Sequence, residues 1–67
     1  MAMCDQLRAQ ELELTTELER VTHLRGVMAQ EPGDAPHAQI VENLSDEIDR
    51  LTRSLDDCRR QLRQAGC

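Results

Sequence analysis

A chain of 67 residues with no Phe, Tyr or Trp has room for one small domain at most. It lacks the side chains that anchor most small cores, so stability must come from long aliphatic contacts or from a partner. All eight basic residues are arginines, and 13 acids outweigh them to a net charge of −5, a balance that argues against nucleic acid or an anionic membrane as partner.

The first segment, about residues 3–30, is rich in Leu, Glu, Gln, Arg and Ala and predicts a helix. A heptad frame sets Leu7, Leu14, Leu18, Val21 and Met28 along one stripe, but it also places Cys4, Glu11 and Arg25 at seam positions. Leu24, beside Arg25, is expected to supply the apolar contact there. Gly26 costs about 1 kcal/mol relative to Ala inside a helix and predicts a frayed or bent last turn.

The segment Glu31-Pro32-Gly33-Asp34-Ala35-Pro36 holds both prolines and marks a turn, about residues 31–35. Pro32 disfavours a helical Glu31, so the first helix should end near Ala29 or Gln30. Asp34 can cap the next helix, with Pro36 tolerated in its first turn.

The second helix, about residues 36–65, carries the clearest pattern in the chain. Val41, Leu44, Ile48, Leu51, Leu55, Cys58, Leu62 and Ala65 fall on successive a and d positions of four heptads. A helix with one narrow apolar stripe buries it against another helix. On the outer face, Asp46 with Arg50, Asp49 with Arg53, and Asp56 with Arg60 are acid-before-base pairs at i, i+4 that support the helix. Arg59, Arg60 and Arg63 near its end compensate the helix dipole.

Two helices of close to 30 residues joined by a short turn predict an all-α, antiparallel coiled-coil hairpin roughly 40 to 45 Å long. Folding the chain about Gly33 sets Met28 near Val41, Val21 near Ile48, Leu14 near Leu55 and Leu7 near Leu62. One buried stripe per helix is little for independent stability, so dimerisation into a four-helix bundle is the expected completion. Leu12, Leu24, Val27 and Ile40 lie off the seam and are available for that second contact. Neither an internal repeat nor a low-complexity tract is evident.

Little in the sequence speaks for chemistry. A hairpin brings Cys4 and Cys67 to one end with Cys58 about two turns away, yet the close paired spacings of thiolate metal sites are missing. His23 and His37 lie toward the loop end. No metal and no cofactor are expected. Cys58 reads as a small seam residue, and a Cys4–Cys67 disulfide, within or between chains, can form under oxidation. Three cysteines in no framework suit a reducing compartment. No apolar run nears the ~20 residues that cross a bilayer, and no signal-peptide pattern opens the chain, which makes the expected location cytoplasmic. A two-helix rod offers no enclosed pocket, so catalytic residues are not expected in the chain by itself.

One stretch departs from plain heptad filler. Val41-Glu42-Asn43-Leu44-Ser45-Asp46-Glu47-Ile48-Asp49-Arg50-Leu51 resembles the signature of the small sporulation-regulatory aspartyl-phosphate phosphatases, helical hairpins with a Ser-Gln-Glu-Leu-Asp motif early in helix two. Ser45, Glu47 and Asp49 match outright and Ile48 conservatively, while Asp46 stands where the motif has Gln. The resemblance implies docking on a phosphorylated response-regulator receiver domain and in-line attack of water on its aspartyl phosphate. Asp49 would matter most there, with Ser45 and Glu47 orienting the contact. The Gly33-Asp34-Ala35 loop and the chain length also resemble the hairpin co-chaperones of type III secretion needle subunits. That likeness implies that a partner chaperone holds the chain.

The residues themselves support a protein-protein interaction module, acting through coiled-coil self-association, a partner protein, or both. Its interface residues are Leu7, Leu14, Leu18, Val21, Leu24, Met28, Val41, Leu44, Ile48, Leu51, Leu55, Cys58 and Leu62.

Overall fold

The computed structural model describes residues 2–31 and 33–67. Among these, α1 runs Ala2–Gln30 and α2 runs Ala35–Gln64, with no strand. The helices pack on each other as a helical hairpin, a rod of 50 × 14 × 12 Å. Pro32, on which the expected stop signal rests, lies outside the described residues. Gly26 is accommodated within an unbroken α1 and has no neighbour where a side chain would project.

Three local devices define the helix ends. Asp34 sits in extended backbone and its Oδ1 accepts from the His37 amide at 3.2 Å, which satisfies one of the free N–H groups that open α2, while Pro36 occupies the first turn. His37 Nε2 then reaches back and donates to the Met28 carbonyl oxygen at 2.5 Å, tying the start of α2 to the end of α1. At the far end, Gly66 adopts the left-handed region at φ 77°. Its amide donates to the Arg63 carbonyl at 3.2 Å and the Cys67 amide donates to Leu62 at 3.0 Å. This is the Schellman arrangement, which closes the orphan carbonyls and turns the last residue back toward the rod.

The core is narrow. Leu7 and Val21 of α1 and Leu51, Leu55 and Cys58 of α2 are buried, and Cys58 is the most enclosed at 1% exposure. Most of these lie from the middle of the rod toward the chain ends. Toward the loop, Met28, Val41 and Leu44 are only half-buried.

Contacts between α1 and α2 run the length of the rod. His37 meets Met28 near the loop, Arg25 Nε donates to Ser45 Oγ at 2.6 Å, and Arg59 Nε donates to Glu11 Oε2 at 3.1 Å. Cys58 Sγ donates to the Leu7 carbonyl at 3.2 Å, and Arg8 bonds the Cys67 carbonyl at 3.2 Å. A Cys4–Cys67 disulfide, with Cα atoms 5.9 Å apart, joins the ends.

Candidate functional site

The seam between the helices takes up most of the large aliphatic residues described. Leu7, Val21, Leu51, Leu55 and Cys58 are buried, and Leu14, Leu18, Met28, Val41, Leu44, Ile48 and Leu62 are half-buried along the same line. Leu24 departs from expectation: it stays 41% exposed, pointing off the seam rather than filling the place beside Arg25. Polar contact replaces it, because the Arg25 guanidinium crosses to Ser45, whose hydroxyl also donates to the Val41 carbonyl at 3.0 Å. Glu11 is similarly accommodated at a seam position by its ion pair with Arg59.

The two flanks of the seam differ in chemistry. One carries Thr15, Thr22, Ser45 and Thr52, with the Thr15, Ser45 and Thr52 hydroxyls each donating to the carbonyl four residues earlier in its own helix. The opposite flank carries Met3, Gln10, Glu17 and Leu24 at seven-residue spacing on α1, and Ile40, Glu47, Ser54 and Gln61 at the same spacing on α2. Toward the chain ends it opens into a groove lined by Met3, Gln6, Leu7, Gln10, Gln61, Gln64 and Ala65.

At the middle of that second flank stand two ion pairs of matching geometry. Arg20 Nε donates to Glu17 Oε2 at 3.2 Å and Arg50 Nε donates to Glu47 Oε2 at 3.1 Å, each backed by a second guanidinium contact. The Arg20 hydrogen bonds hold the Glu17 carboxyl below its usual range, and Arg50, on the other helix, adds to the effect. Both guanidiniums are held more firmly protonated than usual, first by their own glutamate and then by the glutamate of the other helix. The four groups therefore form one electrostatic cluster across α1 and α2.

That cluster exposes a repeat that the sequence reading passed over. Leu14-Thr15-Thr16-Glu17-Leu18-Glu19-Arg20-Val21-Thr22 and Leu44-Ser45-Asp46-Glu47-Ile48-Asp49-Arg50-Leu51-Thr52 share one pattern. It reads Leu, hydroxyl, any, Glu, Leu or Ile, acid, Arg, aliphatic, Thr. Each helix counts its heptads from its own start, so a single frame drawn through the turn conceals the match. Comparing the chain with itself at an offset of 30 would have found it.

The acid-base pairs of α2 also differ in spacing from expectation. Arg50 pairs with Glu47 and Arg60 with Asp57, both at i, i+3, rather than with Asp46 and Asp56 at i, i+4. Glu47 has the longer reach, and Asp57 is additionally held by Gln61 Nε2 at 2.8 Å, which makes it the better-prepared acceptor. Arg60 and then Gln61 draw the Asp57 carboxyl below its ordinary value.

The residues carrying the phosphatase resemblance are divided between the flanks. Ser45 and Asp49 line one shallow hollow with Thr22, Arg25 and Ile48, while Glu47 faces the other way and is engaged by Arg50. The cysteines are divided as well: Cys4 and Cys67 bond each other and Cys58 is free but buried. Two of the three thiols on which the reducing-compartment reading rests are thus joined. Among the described residues no group of three or more His, Cys, Asp or Glu side chains is gathered as metal ligands, and no helix is long and apolar enough to cross a membrane.

No family model matches the chain, and comparison with the curated proteins and with the solved structures finds no match.

Proposed function

We propose that this chain is an antiparallel coiled-coil hairpin whose function is protein-protein association, with two copies dimerising into a four-helix bundle. The observation that carries this reading is the imbalance between the buried and exposed aliphatic side chains. Among the described residues five make up the buried core, while Met3, Leu12, Leu24, Val27 and Ile40 remain exposed on a rod only 14 Å by 12 Å across. A core this thin leaves an isolated hairpin marginal, and covering a second face supplies the missing apolar burial.

The electrostatics agree with such a role. Among the described residues no enclosed pocket preorganises a nucleophile, and the Glu17–Arg20, Glu47–Arg50 and Asp57–Arg60 pairs are exposed helix-supporting contacts. The net charge of −5 suits a protein partner better than an anionic polymer.

Thermal melting followed by circular dichroism over a hundredfold range of concentration tests the reading. An associating hairpin melts at a higher temperature as concentration rises, because the folded state is linked to dimer formation. A fully helical species whose melting temperature does not move with concentration would refute self-association.

A further inference from the structure

Which face pairs with a second copy can be argued from the flank that carries the duplicated ion pairs. Of the five exposed large aliphatic side chains, Met3, Leu24 and Ile40 fall on its seven-residue rows, and Val27 lies one turn beyond Leu24 and seven residues beyond Arg20. On the opposite flank the Thr15, Ser45 and Thr52 hydroxyls are bonded to their own helices, and Arg8 and Arg59 on the same rows are engaged by the Cys67 carbonyl and Glu11. Among the described residues one large aliphatic, Leu12, is exposed on that side, one turn before Thr15, against four on or beside the flank of the ion pairs.

Charge gives the face its second property. Glu17, Arg20, Glu47 and Arg50 sit near the midpoints of α1 and α2 as two acids and two bases, one of each per helix. The repeat relates the two pairs by an approximate twofold rotation of the hairpin onto itself. That rotation carries Glu17 onto Glu47 and Arg20 onto Arg50, so each glutamate lies across from the arginine of the other helix. A twofold axis lying in the face then exchanges acids with bases, and a second copy laid face to face about it sets glutamates over arginines at the centre. Such isologous contacts are the commonest route to a symmetric dimer. The Arg20 and Arg50 side chains are 64% and 66% exposed, and a guanidinium has five N–H donors. Pairing within a helix therefore leaves donors for a carboxylate of the other copy.

The size also fits. A face of 50 × 14 Å covers on the order of 700 Å², close to the ~800 Å² per partner of a standard stable interface. At one end Leu24, Val27 and Ile40 provide apolar cover; at the other the groove around Met3 is lined by Gln6, Gln10, Gln61 and Gln64, whose amides can donate and accept across a dimer.

We infer that the flank bearing Met3, Glu17, Leu24, Ile40 and Glu47 docks on the same flank of a second copy, with the Glu17–Arg20 and Glu47–Arg50 pairs exchanging partners between copies to set the register. The inference rests on the self-association reading and adds the face, the occupant and the register device. Ion pairs covered in this way act chiefly on specificity, because their desolvation offsets much of their attraction. The exposed aliphatic side chains supply the affinity.

A charge-swap experiment tests it. One variant carries Glu17→Arg with Glu47→Arg, the other Arg20→Glu with Arg50→Glu, and each is examined alone and in equimolar mixture by sedimentation equilibrium, with helicity read on the same samples. Each variant alone should dimerise at least tenfold more weakly than the parent, and the mixture should recover a heterodimer of parental strength. Helical variants that dimerise alone as the parent does, or a mixture that stays monomeric, would overturn the inference.

Should either variant lose its helicity, Leu24→Gln with Ile40→Gln decides the matter, since both positions are exposed in the hairpin. That protein should dimerise at least tenfold more weakly than the parent, while Thr22→Gln on the opposite flank leaves dimerisation unchanged. Parental dimerisation of the Leu24, Ile40 variant would overturn the choice of face and leave self-association standing. A monomeric parent would overturn both.

Discussion

Leu51 is 4% exposed, in the middle of the rod, and is one of five buried core residues among those described. Truncating it to Ala removes a fully enclosed side chain that the thin rod has few neighbours to replace. Leu51→Ala should cost roughly 2 to 5 kcal/mol, measured by chemical denaturation at fixed protein concentration; a cost below about half a kcal/mol would mean that stability does not reside in the seam. Single residues also show where sequence reasoning stopped short. Leu24 is apolar but falls one position off the row, and where it was expected to supply an apolar contact beside Arg25 the Arg25 guanidinium reaches Ser45 instead. Side-chain length decides such cases, and a heptad frame records only position.

The helices themselves were legible to different degrees. In α2 all eight seam positions from Val41 to Ala65 are aliphatic or Cys, and all eight are buried or half-buried in the structure. In α1 the frame puts Cys4, Glu11 and Arg25 into the seam, each reconciled by a bond that no periodicity announces: to Cys67, Arg59 and Ser45 respectively. The Asp34 cap was readable because Asp before Ala-Pro is a strong start signal. The expected end of the second helix near residue 65 agrees with the structure, where α2 closes at Gln64 with Ala65 as its cap and a glycine follows. Gly66 adopts φ 77°, a region where an L side chain is strained. Gly66→Ala should therefore destabilise the protein by on the order of 1 kcal/mol. A melting temperature equal to that of the parent would show that the Schellman turn does not hold in solution.

At the scale of the whole molecule, one covalent link and one duplicated surface organise the rod. The Cys4–Cys67 bond spans a sequence separation of 63 and clasps the ends farthest from the turn. By the chain-entropy argument, closing a loop of that size stabilises the folded chain by roughly 4 kcal/mol. Reduction should accordingly lower the melting temperature and speed amide exchange at the chain ends. Identical melting with and without reductant would mean that the clasp is open in both samples or contributes nothing. The loop end, where Val27 and Ile40 are exposed and Met28, Val41 and Leu44 only half-buried, should exchange its amides faster than the segment from Leu51 to Cys58 in an undimerised hairpin.

Self-association is the property on which the functional reading stands, and the mass of the protein in solution reports it without intermediaries. Sedimentation equilibrium across micromolar concentrations, with helicity measured on the same samples, should return a helical species of twice the 7.6 kDa chain mass. A helical species that stays at the mass of one chain throughout would contradict it.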